Sequence, residues 1–410
     1  MRAADVSDRP ARCPPAVRQA QCSMIAICTV IRDVPWVSCP CHLSHSISED
    51  SPGTVSFSVL LCGGQSNMGF GMCGAQSKTQ TPQQALDALS DTPIRFYFQS
   101  GSGPNGGAGK GHCKTSRNQS IFTPTTEWFT ANATNAGGAS AVCLLTATRL
   151  YNSMKGKVPV GAVESCVGGT PVGDWTPPNG VLWKAHMTPL LPMTFKAALW
   201  DQGEADAKRT NSTWYTHEFP AMISGWRSNL ETTSLPFIYV ELCTEYNADE
   251  PKESDFWMAQ RSALTLPATG FATTTDIQRA LHPPDKQDVA DRLLLSVQRL
   301  AYGLPVVSRG PTLVSSKFSG GTLVATFSNT TLEVGPGIFV AGKDCAVAGN
   351  AFVSKATKKA VPLKFTIAGP KVSIACAAGD TVYVNADVAN CFLYNSANKL
   401  PAPPIEIQCK

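Results

Sequence analysis

The first candidate for chemistry is a serine that lies among glycines. Ser66 belongs to the stretch Leu-Cys-Gly-Gly-Gln-Ser-Asn-Met-Gly-Phe-Gly at residues 61–71, which directly follows an apolar run. This composition fits a plain tight turn, and it equally fits a serine held at the end of a buried strand as a nucleophile. A serine hydroxyl is a weak nucleophile that needs a base within hydrogen-bond reach and a third group to orient that base.

The best candidate for the base is His282. It lies between the end of one predicted strand and the start of a predicted helix, and Pro283 and Pro284 follow it directly. The five other histidines are less suitable: His42 and His45 in an irregular N-terminus, His112 in a glycine-rich loop, and His186 and His217 inside helical runs. A histidine that only caps a turn remains the alternative interpretation of His282.

Acyl transfer also requires hydrogen-bond donors that face the developing oxyanion. Gly168 and Gly169 offer backbone N–H groups that no side chain shields, although a flexible turn would have the same composition. The side-chain amide of Gln202 could add a donor. The N–H groups of Gly168 and Gly169 and the Gln202 amide are therefore the candidate oxyanion donors.

Several carboxylates could orient the histidine. Glu204 lies on the same predicted sheet edge as Ser66, and Asp276 and Asp285 compete with it for this role. A solvated loop is the alternative interpretation of Glu204. The sequence leaves the choice between these carboxylates open.

These residues all follow predicted strands, so the strands must position them. Short, apolar runs predict six strands, and helical spacing predicts helices between them, as in a mainly parallel sheet that is covered on both faces. Four polar stretches follow predicted strands: Cys62–Met68, Glu164–Thr170, Asp201–Asp206 and Asp276–Pro284. Because ligands of such folds bind at the carboxyl edge of the strands, these stretches are expected to meet there. The predicted strands are 57–62, 94–98, 158–164, 195–200, 237–242 and 269–275, and the predicted helices are 140–154, 212–229 and 285–301.

The character of the sequence changes after Leu304-Pro305. Residues 306–410 are rich in Val, Thr, Gly and Ser. Alternating runs at 322–327, 361–367, 371–375 and 381–384 predict strands of a small antiparallel β-domain. We therefore divide the chain into an irregular segment at 1–54, a catalytic α/β domain at 55–304 and a β-domain at 305–410.

Four blocks in order resemble the sialate O-acetylesterase family, which belongs to the SGNH hydrolase group. The blocks are Gly64-Gln-Ser-Asn-Met68, Gly168-Gly-Thr-Pro-Val-Gly-Asp-Trp175, Trp200-Asp-Gln-Gly-Glu204 and His282-Pro-Pro-Asp-Lys286. The resemblance extends over roughly residues 55–410. It implies a three-layer, flavodoxin-like sheet and a serine esterase that removes O-acetyl groups from sugars, above all from sialic acid, without a metal or other cofactor.

The resemblance also implies roles for individual residues. Ser66 would be the nucleophile and His282 the base, and Glu204 could be the acid member, as in related carbohydrate esterases. The oxyanion donors would be the Ser66 N–H, a Gly168 or Gly169 N–H and the Gln202 amide. The usual SGNH arrangement has an aspartate three residues before the histidine, where this chain has Arg279, so Asp276 is the second choice. Asp201 and Cys166 stand where the family commonly has aromatic residues, which could reshape the pocket for the acyl group or the sugar.

Composition narrows the function classes further. The chain has 410 residues, a formal net charge of +4 and no apolar run long enough for a membrane helix, so neither nucleic acid nor a membrane is an expected partner. Fifteen cysteines and four N-glycosylation sequons, at Asn118, Asn132, Asn211 and Asn329, favour a secreted or lysosomal glycoprotein, although no clean signal peptide is found. An acetylxylan-type esterase and a non-catalytic glycan-binding protein on the same fold are the rival hypotheses.

Overall fold

The computed structural model describes most of the chain after residue 56. Described are residues 57–77, 79–99, 127–209, 212–242, 252–277, 280–328, 332–336, 352–357, 359–385 and 391–410. Outside these ranges lie the N-terminal segment 1–54, His42, His45, His112, Arg279 and the sequons at Asn118, Asn211 and Asn329.

A seven-stranded sheet forms the centre of the first part of the chain. Its order is β3-β2-β4-β1-β5-β6-β7, and all neighbouring strands are parallel except β3, which is antiparallel to β2. The strands are β1 Ser58–Gly64, β2 Arg95–Phe98, β3 Trp128–Thr130, β4 Val160–Cys166, β5 Ala197–Asp201, β6 Phe237–Val240 and β7 Thr269–Ala272. The predicted α/β class with a mainly parallel sheet is thus confirmed.

Helices cover both faces of this sheet. They are α1 Pro82–Asp87, α2 Ala141–Ser153, α3 Glu204–Arg209, α4 Ser212–Asn229, α5 Lys252–Arg261 and α6 Lys286–Tyr302. Strand β1 is buried throughout and alternates between the two layers. Leu60 and Cys62 pack in the layer that contains α2 and α6, and Val59 and Leu61 pack in the aromatic-rich layer that contains α4 and α5. Burial on both faces explains why β1 is an unbroken apolar run.

The connections place β1 at the point where the sheet reverses its direction of growth. The chain leaves β1, forms the β2 side, returns to β4 beside β1, and then continues to β5 on the other side of β1. In open parallel sheets, the crevice at such a switch point is the usual ligand site. Gly64 pairs with Cys166 on one side and with Asp201 on the other, so three of the four sequence blocks begin at adjacent strand ends.

The C-terminal part is entirely antiparallel in its described strands. They form sheets of order β13-β14-β9-β8, β12-β11-β15-β17 and β10-β16. Their bounds are β8 Leu313–Ser319, β9 Thr322–Phe327, β10 Leu332–Pro336, β11 Phe352–Thr357, β12 Lys359–Pro362, β13 Phe365–Ala368, β14 Lys371–Ala375, β15 Thr381–Val384, β16 Cys391–Asn395 and β17 Ile405–Gln408. The predicted C-terminal antiparallel region is therefore confirmed, whereas the domain boundaries stay a prediction.

Two disulfides have both partners in the described residues. Cys62 in β1 is bonded to Cys143 in α2, and Cys376 is bonded to Cys409. Cys73 is also disulfide-bonded, and Cys166 keeps its thiol. Among the described helices, none has both the length and the apolar character needed to cross a membrane.

Candidate active site

Ser66 and His282 meet at the carboxyl edge of the sheet. The distance from Ser66 Oγ to His282 Nε2 is 2.8 Å, although 216 positions separate the two residues in the chain. Ser66 is 8% exposed and His282 is partly exposed. The hydroxyl and the ring are in direct hydrogen-bond contact, which is the geometry that proton transfer from serine to imidazole requires.

The turn that carries Ser66 depends on a glycine at the end of β1. Gly64 has φ of +142°, and a Cβ at this position would lie 2.2 Å from the carbonyl oxygen of Asp201. The next residue, Gln65, donates its N–H to the same carbonyl oxygen at 3.0 Å. Only glycine combines this backbone conformation with so close an approach to β5, which explains the glycine pair before the serine.

Backbone donors lie on the adjacent strand end. After β4, the Val167 N–H bonds to the Gly64 carbonyl oxygen at 3.0 Å, and this contact brings the Gly168-Gly169 turn beside the turn of Ser66. Gly169 has φ of +74°, and a Cβ built there would meet open space. In the described part of the chain, the N–H groups of Ser66, Gly168 and Gly169 donate to no protein acceptor, so they remain available to a ligand.

The structure does not leave the Gln202 amide available as a donor. Its Nε2 donates to the Thr170 carbonyl oxygen at 3.0 Å and also to Asp206 Oδ2, which uses both amide hydrogens. Its oxygen accepts from the Tyr215 hydroxyl at 3.1 Å. In this conformation both amide hydrogens of Gln202 have protein acceptors, and its role as an oxyanion donor stays a prediction. The side chain instead fixes the turn after β4 to the start of α3.

Glu204 contacts the two residues that flank Ser66. Its carboxylate accepts hydrogen bonds from Gln65 Nε2 and from Asn67 Nδ2. Burial, followed by the nearby charge of Asp201, raises the pKa of Glu204 to about 7, although its hydrogen bond from Asn67 favours the charged form. These contacts place Glu204 at the nucleophile's turn and differ from the predicted position behind the imidazole.

Asp276, the second candidate for the acid member, is occupied by another partner. Its two oxygens accept hydrogen bonds from Arg292 at 2.6 and 2.7 Å, and the Tyr394 hydroxyl donates to it at 3.3 Å. This bidentate pair engages both carboxylate oxygens of Asp276 with the guanidinium group of Arg292. The third alternative, Asp285, is the N-cap residue of α6 and is buried.

Glu164 is a carboxyl group that sequence reasoning placed on the site edge without a role. It is completely buried in β4, where it accepts the Ser140 N–H at 2.7 Å and the Cys166 thiol at 3.4 Å. Burial raises the pKa of Glu164 to about 8, against the opposing effect of these two donors. Ser140 is the N-cap residue of α2, so Glu164 joins the central sheet to the start of that helix.

The sequence blocks also contained site residues whose contacts could not be foreseen. Asn67 donates from Nδ2 to the Leu281 carbonyl oxygen at 2.9 Å, and its Oδ1 accepts from Lys286 Nζ at 2.7 Å. Lys286 lies 3.9 Å from Asp201 Oδ2. Both Asn67 and Lys286 lie in the sequence blocks that resemble the family. The sequence could therefore indicate that they belong to the site, but it could not predict that they contact each other.

Comparisons with known proteins concern the family and the fold of the chain. The profile of a family described as carbohydrate esterase, sialic acid-specific acetylesterase, matches residues 109–287. The sialate O-acetylesterase of Homo sapiens is 26% identical over 302 residues, which cover 60% of this chain and 53% of that protein. The Mus musculus enzyme of the same name is 32% identical over 148 residues, 30% of this chain and 27% of that protein. The chain thus spans about half the length of the human relative it matches.

A solved structure shows a wider likeness. The crystal structure of a carbohydrate acetylesterase from Xanthomonas citri superposes with a TM-score of 0.69 at 28% sequence identity, and the match covers 86% of this chain and 81% of that one. It includes both the parallel sheet and much of the C-terminal part, because neither alone would account for so large a share. The four sequence blocks, the family profile and this shared fold together confirm the resemblance to the sialate O-acetylesterase family of carbohydrate esterases.

Proposed function

We propose that this chain is a serine esterase that hydrolyses O-acetyl esters of sugars, with O-acetylated sialic acid as its substrate. The observation that carries the proposal is the 2.8 Å contact between Ser66 and His282, beside backbone N–H groups that donate to no acceptor in the described part of the chain. The family profile and the curated relatives support the acetylated sugar as the substrate class.

The reaction begins with attack by Ser66 Oγ on the acetyl carbonyl carbon. His282 Nε2 takes the hydroxyl proton, and the N–H groups of Ser66 and of Gly168 or Gly169 stabilise the oxyanion of the tetrahedral intermediate. The protonated His282 then gives its proton to the sugar oxygen as the ester bond breaks. Water, deprotonated by the same ring, attacks the acetyl-serine, and acetate leaves as the serine regains its proton.

The acid member belongs to this proposal as well. Between the two candidates we favour Glu204, as a residue that positions the nucleophile and not as a partner of the His282 ring, because Asp276 is paired with Arg292 whereas Glu204 touches both neighbours of the nucleophile. In this scheme Glu204 holds the turn of Ser66 through Gln65 and Asn67.

The cell setting that we propose is secreted or lysosomal. Support comes from the described disulfides, since stable disulfides belong to oxidising compartments. One sequon lies in the described residues. Asn132 is partly exposed in a turn, where its Oδ1 accepts from the backbone N–H groups of Thr134 and Asn135.

Acetate release from purified protein tests the proposal. We expect Ser66→Ala to abolish release from O-acetylated sialic acid and from p-nitrophenyl acetate while the circular dichroism spectrum is retained. Ser316→Ala, at an exposed position of β8, is the matched control and should behave like the parent. If Ser66→Ala hydrolyses p-nitrophenyl acetate as fast as the parent, the mechanism is wrong.

Two further measurements separate the rival functions. A fluorophosphonate probe should label the parent at Ser66 and leave Ser66→Ala unlabelled, whereas a glycan-binding module would stay unlabelled in both forms. Acetate release from acetylated xylan, measured beside that from acetylated sialic acid, distinguishes the two esterase types. If acetate is released faster from acetylated xylan than from acetylated sialic acid, xylan is the substrate and not sialic acid.

A further inference from the structure

A buried lysine lies beside the nucleophile's turn, and the proposed reaction does not use it. Lys286 is the first residue of α6, and its side chain is only 3% exposed. Its Nζ donates to Asn67 Oδ1 at 2.7 Å and lies 5.5 Å from the ring centre of Phe70. A buried ammonium group is costly unless it is paired and hydrogen-bonded, so these contacts require an explanation.

The contact with Lys286 determines how the amide of Asn67 is oriented. An ammonium group can only donate, so the oxygen of Asn67 must face Lys286. The two amide hydrogens then face the other side, where one is donated to Glu204 and the other to the Leu281 carbonyl oxygen at 2.9 Å. Three of the four hydrogen-bonding positions of this amide are therefore used, and a flipped amide would lose all three bonds.

The Leu281 carbonyl precedes His282 directly. The same segment is held on its other side, because the Gln76 N–H donates to the Pro284 carbonyl oxygen at 2.8 Å. His282 thus lies between two anchored carbonyl groups, one of which depends on Asn67. Since Asn67 is the neighbour of Ser66, its amide joins the turn of the nucleophile to the segment of the histidine.

Asp201 supplies the opposite charge. Its Oδ2 lies 3.9 Å from Lys286 Nζ and accepts no hydrogen bond in the described part of the chain. The titratable groups around Asn67 thus come from several elements: Asp201 at the end of β5, Glu204 at the start of α3, His282 before α6 and Lys286 in α6. Burial raises the pKa of Asp201 and Lys286 lowers it, and Lys286 also lowers the pKa of Glu204 whereas Asp201 raises it.

We infer that Lys286 is a positioning residue for His282, acting through the amide of Asn67, with Asp201 as its counter-charge. The inference rests on the proposed function, because it assigns Lys286 a part in the same Ser66–His282 reaction. Lys286 contacts neither Ser66 Oγ nor the His282 ring. It fixes the Asn67 amide, which joins the turn of Ser66 to the segment of His282. A displacement of about 1 Å in such a site can cost roughly 100-fold in rate.

The test compares Lys286→Met and Asp201→Asn with the parent. Readouts are kcat and KM for p-nitrophenyl acetate and the rate of fluorophosphonate labelling, each from pH 5.5 to 9. Lys286→Met should lower kcat and the labelling rate by roughly 10- to 100-fold at pH 7, with KM nearly unchanged. Lys371→Met, exposed on β14, is the control and should match the parent.

The pH profiles provide a readout that a merely structural role would not move. Loss of Lys286 removes a charge that lowers the pKa of Glu204, so the part of the acid limb that depends on ionised Glu204 should move to higher pH. Loss of Asp201 removes a charge that raises this pKa, so the limb should move to lower pH. If Lys286→Met does not fold, the double variant Asp201→Asn/Lys286→Met removes both charges together and should still label slowly, because Asn67 has lost its donor.

Each outcome decides between the claims. The inference is overturned if folded Lys286→Met keeps both the parental labelling rate and the parental acid limb of the pH–rate profile. It is also overturned if the acid limb moves in the same direction in Lys286→Met and in Asp201→Asn. A parent that is labelled at Ser66 but releases no acetate from sugars overturns the proposed function, while the labelling rates still decide on Lys286. A parent that neither hydrolyses esters nor is labelled overturns both.

Discussion

Glu164 is a carboxyl group without exposed surface, and its surroundings favour the protonated form. Its pKa is raised to about 8, mainly by burial, from an unfolded value near 4.5. Because the folded state holds this proton more tightly, its contribution to stability is fully present below pH 4.5 and is lost as the pH rises through about 8. Each unit of such a shift corresponds to about 1.4 kcal/mol, so the effect is large enough to measure.

Glu164→Gln should therefore raise the thermal unfolding midpoint at pH 8.5 relative to the parent and change it little at pH 5. Glutamine keeps an oxygen that can accept the Ser140 N–H, so the N-cap of α2 retains its partner. The measurement is thermal unfolding at both pH values, with Glu406→Gln in β17 as the control. An equal shift at the two pH values would contradict the proton linkage.

Residue-level reasoning from the sequence was strongest for the pair Ser66 and His282. Their types allow only a few roles, and their positions after predicted strands place them at one sheet edge. It was weakest for Gln202, because an amide can donate to many acceptors and only coordinates show that Thr170 and Asp206 take both of its hydrogens. The burial of Lys286 was equally unforeseeable, since lysine is usually exposed.

At the scale of elements, the end of β1 is the most constrained point of the site. Gly64 combines φ of +142° with an approach that would put a Cβ 2.2 Å from a backbone oxygen of β5. Neither a rotamer change nor a flexible side chain can relieve a contact with backbone. The spacing of β1 and β5 therefore requires glycine at this position.

Gly64→Ala should separate β1 from β5 at their ends and displace Ser66. We expect the rate of fluorophosphonate labelling to fall by roughly 100-fold or more, with a lower unfolding midpoint. Gly369→Ala is the matched control, because Gly369 also has a positive φ, of +59°, but a Cβ there meets open space. The control should lose about 1–2 kcal/mol of stability and keep the parental labelling rate; equal labelling by both variants would contradict the argument.

Sequence patterns predicted most elements of the sheet layer and missed those with weak signals. The helix at 212–229 has the predicted bounds, and the strands at 322–327, 371–375 and 381–384 do as well. Strand β3 was missed, because three residues at a sheet edge are too few to show an alternation of apolar and polar side chains. The predicted strand 361–367 is in fact divided between β12 and β13.

Helix α1 was also missed, although a local signal for it exists. Thr81 accepts the Gln84 N–H, and the Gln84 side chain accepts the Thr81 N–H in return, which is a capping box. The helix itself is only six residues long, too short for apolar spacing to reveal it.

At the scale of the whole molecule, Asp276 connects the parallel sheet with the C-terminal strands. It follows β7, pairs with Arg292 of α6, and accepts a hydrogen bond from Tyr394 of β16. A second connection lies nearby, since Arg261 of α5 donates to the Pro404 carbonyl oxygen and pairs with Glu241 at 2.5 Å. These contacts indicate that Asp276 serves the assembly of the two parts.

Asp276→Asn should therefore lower stability and affect catalysis little. Removal of one partner of a buried ion pair leaves the other charge uncompensated, at a cost of roughly 3–5 kcal/mol. We expect a clearly lower unfolding midpoint, with kcat for p-nitrophenyl acetate within a few-fold of the parent at 25 °C. Tyr394→Phe, which removes only the hydrogen bond, should show a smaller loss. A loss of activity comparable to that of His282→Ala would instead return Asp276 to the role of acid member.

The bond between Cys62 and Cys143 links the strand that ends just before the nucleophile to helix α2. A reducing agent that reaches this bond would therefore free β1 from α2 directly below the reaction centre. The Cys62–Cys143 bond would then be absent from protein made in a reducing cytoplasm and present in protein made through an oxidising export route. Rates measured on the two preparations should be compared only after their thiol content has been counted.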